Sequence, residues 1–154
     1  DYAHTPDAIE KILSAVREFA QGRIVILFGC AGNRDGKKRP LMAAAAAKGA
    51  DFVILTSDNP RSEDPVKIIQ DALPGFEGYD TPYVVIPDRY QAIRWALENC
   101  REGDVLLLAG KGHEDYQVLD YVTICFDERK VVQELLEKIR TEGKRAVLPP
   151  QPGK

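Results

Sequence analysis

Ile24-Val25-Ile26-Leu27-Phe28 is an unbroken apolar run that stops at Gly29. A strand with one wet face alternates apolar and polar residues, so a run with no polar member reads as a strand covered on both faces. Phe52–Leu55, Tyr83–Ile86 and Val105–Leu108 are short runs of the same kind. Between these runs the apolar period lengthens to that of a helix. Before the first, Ile9, Ile12, Leu13, Val16, Phe19 and Ala20 share one face, with Thr5 as N-cap, Pro6 in the first turn and Gly22 as the stop. Residues 40–49, rich in Ala, read as a tightly packed helix. Pro65 opens another, with Ile68, Ile69, Ala72 and Leu73 on one face, and a loop holding Pro74, Gly75 and Gly78 follows. Asp88 to about Cys100 reads as helix with Ile93, Ala96, Leu97 and Cys100 inward. Residues 116–126 alternate enough for one or two short edge strands, and Asp127 to about Arg140 is the last helix.

Strands that alternate with helices imply right-handed βαβ units. The expected fold class is α/β: a Rossmann-like three-layer domain, with a mainly parallel sheet of about six strands and helices on both faces. The length, 154 residues, suits one such domain with a full core. It is expected to occupy residues 1–142, with 143–154 a flexible tail ending in Leu148-Pro149-Pro150-Gln151-Pro152-Gly153-Lys154.

Composition narrows the partners. A formal charge of −3 gives no general attraction to nucleic acid or to an anionic membrane. No apolar stretch approaches the roughly 20 residues that span a bilayer. Asp1-Tyr2-Ala3-His4-Thr5-Pro6 lacks the basic and apolar regions of a signal peptide. Cys30, Cys100 and Cys125 are odd in number and far apart, which fits reduced thiols in a cytoplasm better than a disulfide framework or a zinc site.

In open parallel sheets ligands bind beyond the carboxyl ends of the strands. The polar, Gly-rich segments of this chain follow those ends: Gly29 to Arg39 after the first strand, Thr56 to Arg61 after the second, and Ala109 to Asp115 after the fourth. None is a nucleotide cradle. Gly32 and Gly36 have three residues between them where a Walker loop needs four, and Gly110 and Gly112 lack the third glycine of the dinucleotide fingerprint. The charges point elsewhere. Arg34 and Arg61 can each grip a carboxylate through two N–H groups, while Asp58 and Glu114 can accept from an ammonium. Opposite charges in one cleft would read the zwitterionic end of an amino acid. The same residues serve equally well as solvated loop charges or weak mutual ion pairs. Asp58-Asn59-Pro60 is also an ordinary turn sequence, His4 a plausible helix-start residue, and His113 an orienting loop residue. Lys37, Lys38 and Arg39 read as a solvated helix entrance. Nothing marks Cys30 as an activated thiolate.

Four segments in order carry a resemblance: Asp1 to Asp7; Gly29-Cys30-Ala31-Gly32-Asn33-Arg34-Asp35 with Lys38-Arg39-Pro40; Thr56-Ser57-Asp58-Asn59-Pro60-Arg61; and Gly110-Lys111-Gly112-His113-Glu114-Asp115-Tyr116-Gln117. Together they resemble the C-terminal domain of the Mur ligases, over residues 1 to about 140. The resemblance implies an enzyme that activates a carboxylate with ATP and Mg²⁺ as an acyl phosphate, which an incoming amine then attacks. It implies that Asp-Asn-Pro-Arg reads meso-diaminopimelate, whose side chain ends in a second amino-acid head. Arg34, Asp58, Asn59, Pro60, Arg61, Gly110 and Glu114 match the positions that hold it. Asp1 and His4 match a segment near the nucleotide. No catalytic residue and no metal ligand is implied in this domain. The ATP loop, the Mg²⁺ ligands and the site for UDP-N-acetylmuramoyl-dipeptide belong to preceding domains, so residues 1–154 alone are expected not to ligate. Two departures stand out: Gly36-Lys37-Lys38 before Arg39, and Leu119 to Phe126. Two other readings remain open, a non-catalytic binding module on this fold and a ligase for another amino acid such as lysine.

Overall fold

The computed structural model describes residues 5–30, 36–57, 63–109, 115–118, 122–126 and 129–142, with backbone alone between 115 and 130. In chain order the elements are α1 Pro6–Arg17, β1 Ile24–Cys30, α2 Lys38–Gly49, β2 Phe52–Ser57, α3 Pro65–Ala72, β3 Tyr83–Val85, α4 Arg89–Asn99, β4 Asp104–Leu108, β5 Asp115–Val118, β6 Val122–Phe126 and α5 Arg129–Glu142. The strands form one six-stranded sheet in the order β3-β2-β1-β4-β6-β5, parallel throughout except for the β5–β6 pair. The expected α/β layering is what the chain adopts.

Burial explains the apolar runs. All seven residues of β1 are buried. Ile24, Ile26 and Phe28 face one core, with Ile9, Leu13 and Val16 of α1, Met42, Ala43 and Ala46 of α2, and Ile68 and Ile69 of α3. Val25 and Leu27 face the other core, with Ile93, Ala96 and Leu97 of α4 and Val132 and Leu135 of α5. The alternation along one strand thus supplies both faces, and neither face tolerates a polar side chain. No helix among the described residues is long and apolar enough to cross a membrane.

Helix starts follow the cap chemistry. The Thr5 hydroxyl accepts from the Ala8 amide at 3.1 Å, Asp64 caps α3 from Val66 at 3.0 Å, and Asp88 caps α4 from Gln91 at 2.9 Å. Two expectations need correction. The α1 helix ends at Arg17 rather than running to Gly22, and Phe19 is 48% exposed. Gly22 has a different duty: a Cβ there would lie 2.7 Å from the carbonyl carbon and oxygen of Gly103, in the turn before β4. Gly22 lets two backbones touch where β1 and β4 begin. The loop after α3 also opens with a 3₁₀ turn, Leu73–Phe76.

Asp51 fastens the amino edge of the sheet. It accepts from the Ile24 amide at 2.8 Å and from Arg17 Nη1 at 2.9 Å, so one carboxylate joins the end of α1, the start of β1 and the approach to β2. Burial opposes its ionisation, but the bonds from Arg17 and Ile24 outweigh it and hold its pKa below the usual carboxylate value. A depressed folded-state pKa contributes stability above the unfolded value, near 3.9, that disappears as pH falls through the folded value. Asp51→Asn should therefore be less stable than the wild type at neutral pH in urea unfolding. The gap should close as the pH drops below about 4; a gap of constant size across that range would contradict this role.

Candidate functional site

The order of strands fixes where a site belongs. From β1 the chain winds outward to β2 and β3, then crosses back through α4 to place β4 on the other flank of β1. The crevice at the carboxyl ends of β1 and β4 is the switch point of a doubly wound sheet. Cys30 ends β1 opposite Ser57, which ends β2. On the other flank Leu27 pairs with Leu108, and the Ala109 amide donates to the Leu27 carbonyl at 2.9 Å. The described chain therefore stops at Cys30, Ser57 and Ala109 on one edge, directly before residues 31–35, 58–62 and 110–114.

Arg34, Asp58, Asn59, Pro60, Arg61, Gly110 and Glu114 lie outside the described residues, as do Asp1 and His4. The residues that frame them are described. Thr56 and Ser57 both donate from their hydroxyls to the Pro87 carbonyl, at 3.3 and 2.6 Å, fixing the end of β2 to the segment before α4. Arg89, the first residue of α4, donates from Nη2 to the Ala109 carbonyl at 3.1 Å and from Nη1 to the Ser57 carbonyl at 3.4 Å. Cys30 is a core residue, 4% exposed, with its sulfur 4.0 Å from that of Met42.

The helix entrance at 37–39 is only partly solvated. Lys37 and Lys38 are exposed, but Arg39 is 3% exposed. Its guanidinium meets Glu63 in two-pronged fashion, Nη1 to Oε2 at 3.2 Å and Nη2 to Oε1 at 2.9 Å, and Nη1 also reaches Asp71 Oδ2 at 2.9 Å. The Glu63 bond raises the Arg39 pKa above its ordinary value against the effect of burial, with Asp71 adding to the rise. Glu63 is the first described residue after 58–62, and Arg39 stands just inside α2 after 31–35. One ion-paired arginine thus anchors the far ends of two of the three segments.

Sequence reasoning took Arg39 as solvated and passed over Arg89. Both occupy the first turn of a helix, where the backbone dipole disfavours a cation. That misplaced charge was the available hint of a tertiary duty. Among the described residues, no group of three or more His, Cys, Asp or Glu side chains could hold a metal ion. The cleft lined by Arg23, Phe52, Trp95, Asn99 and Cys100 lies at the opposite, amino edge and shares no residue with this frame.

A mainly parallel sheet wound outward on both sides of β1, with helices on both faces, defines a doubly wound α/β domain. The family model described as "Mur ligase, glutamate ligase domain" matches residues 1–112, and the chain belongs to that family. Over 137 residues it is 56% identical to the UDP-N-acetylmuramoyl-L-alanyl-D-glutamate–2,6-diaminopimelate ligase of Solibacter usitatus, covering 89% of this chain and 28% of that protein. The ligase of the same name from Geobacillus thermodenitrificans is 51% identical, with 91% and 29% covered. A solved structure of a ligase with this name superposes with a TM-score of 0.75 at 43% identity, covering 91% of this chain and 29% of that one. The chain spans under a third of the length of these curated relatives.

Removing the Arg39 guanidinium leaves Glu63 and Asp71 without this partner. Because both carboxylates keep some solvent contact (28% and 39% of the side chain exposed), Arg39→Ala should lose on the order of 2 kcal/mol in urea unfolding. Arg39→Lys, which cannot form the fork, should fall between. An Arg39→Ala chain as stable as the wild type would show that the ion pairs carry no net weight.

Proposed function

We propose that this segment is the amino-acid-binding domain of a ligase that joins meso-diaminopimelate to UDP-N-acetylmuramoyl-L-alanyl-D-glutamate in peptidoglycan synthesis, in the bacterial cytoplasm. One observation carries the reading. The end of β1, the end of β2 and the residue after β4 lie on the same carboxyl edge of the sheet, beside its switch point, and each leads directly into one of the motif segments. Relatives above half identity over most of this chain bear names that specify diaminopimelate, which supports the choice of amino acid.

Under this reading Arg34 and Arg61 grip the distal carboxylate, and Asp58 and Glu114 accept from the distal ammonium. Asn59 and Pro60 shape the turn between them, and Gly110 admits backbone close to the ligand. Binding energy from the non-reacting end would then hold the reacting amine in place, which is a large share of what such an enzyme must do. ATP and Mg²⁺ supply the activation of the acceptor carboxylate. We assign them mainly to domains that precede this one, with Asp1 and His4 near the nucleotide. Residues 1–142 form the binding domain and 143–154 a tail.

Arg61→Ala in the full-length ligase tests the reading. Loss of a two-pronged charged bond worth about 1.5–3 kcal/mol should raise the KM for diaminopimelate roughly ten- to a hundred-fold. The same change should narrow the preference for diaminopimelate over lysine, which has no distal carboxylate. Steady-state rates with each amino acid varied would show it. An unchanged KM and an unchanged preference would exclude Arg61 as the carboxylate partner.

A further inference from the structure

We propose that Arg89 is a positioning residue for the amino-acid substrate, a tie bar that sets the distance between the segments following β2 and β4. This rests on the diaminopimelate reading above. In the sheet β2 and β4 flank β1, so their ends are two strand spacings apart, about 9–10 Å. No backbone ladder joins them directly. Arg89 does so with one guanidinium: Nη2 donates to the carbonyl of Ala109 and Nη1 to that of Ser57. Those carbonyls belong to the residues immediately before Gly110 and Asp58.

The geometry needs this side chain in particular. A guanidinium presents a planar fork of donors that can serve two fixed carbonyls at once, whereas an ammonium is a compact point charge. The base of Arg89 is itself held. Asp88 caps α4 through the Gln91 amide, and the Pro87 carbonyl accepts from both Thr56 and Ser57. The tie bar is thus braced against the same strand end that it connects. A ligand gripped from both loops requires a fixed gap between them, and a mismatch of about 1 Å weakens binding and orientation without touching a contact residue.

The test compares Arg89→Ala, Arg89→Lys and Arg61→Ala in the full-length ligase, with each of the three substrates varied in turn. The expected result for Arg89→Ala is a KM for diaminopimelate raised about tenfold, with the KM values for ATP and the UDP-linked acceptor within about twofold. Arg89→Lys should recover only part of the loss. A lysine variant that folds but matches the wild type for diaminopimelate would overturn the two-carbonyl tie even if the alanine variant fails to fold. Equal rises in all three KM values would also overturn it, because they would mark a general structural defect. Raised KM in Arg61→Ala with unchanged KM in both Arg89 variants removes the tie bar alone. Unchanged KM in all three variants removes the diaminopimelate reading and, with it, this proposal.

Discussion

The placement of β1 between two parallel partners is the constraint on which the rest of the molecule depends. Val25 to Cys30 pair with β2 on one side and Ile24 to Leu27 with β4 on the other. With both edges bonded and both faces covered, every residue of β1 is buried. Parallel neighbours cannot be joined by tight turns, so each connection must cross over the sheet, and helices are the compact way to do so. Every core strand then ends on the same edge. Reversal of the winding direction after β3 opens the crevice beside β1. The site location is therefore a consequence of pairing, before any polar residue is considered.

The two edges of the sheet are fastened with opposite chemistry. At the amino edge, carboxylates meet backbone N–H groups. Asp51 accepts from Ile24, and the buried Asp104 accepts from the amides of Arg23 at 3.3 Å and Arg101 at 2.8 Å while pairing with the Arg23 side chain at 2.7 Å. At the carboxyl edge, a guanidinium meets backbone carbonyls, as Arg89 does with Ser57 and Ala109. The amino edge is locked further by the contact of Gly22 with Gly103, which no Cβ could enter.

What the sequence revealed depends on how local each cause is. Ile24–Phe28 and Val105–Leu108 were legible because burial on both faces leaves a continuous apolar run. Thr5 was legible as a cap because a cap acts within three residues. Gly22 was misread as a helix stop because its real constraint is Gly103, 81 residues away in sequence. Arg39 was taken as solvated because its partners, Glu63 and Asp71, arrive from beyond β2. Arg89 passed unnoticed because carbonyl acceptors carry no sequence signature. For the candidate site the motifs were legible as residue types and intervals. Arg34, Arg61 and Glu114 themselves lie outside the described residues, and their frame is built by Arg39, Thr56, Ser57 and Arg89.

That division between frame and contact has a physical consequence for substrate choice. Among the frame residues, Thr56, Ser57 and Arg89 donate to backbone carbonyls and Arg39 to the carboxylates of Glu63 and Asp71, and none of these bonds involves a residue proposed to meet the ligand. The residues proposed to meet the ligand lie in the connecting segments that follow the strand ends, and connections of this kind vary more readily than the elements they join. Substitution in those segments can change the charge pattern offered to the substrate at little expense in core packing. Substitution in the frame would instead alter the gap that every such pattern must span. One sheet can then serve different amino-acid side chains by exchanging a few loop charges, provided that the ends of β1, β2 and β4 stay where the arginines hold them.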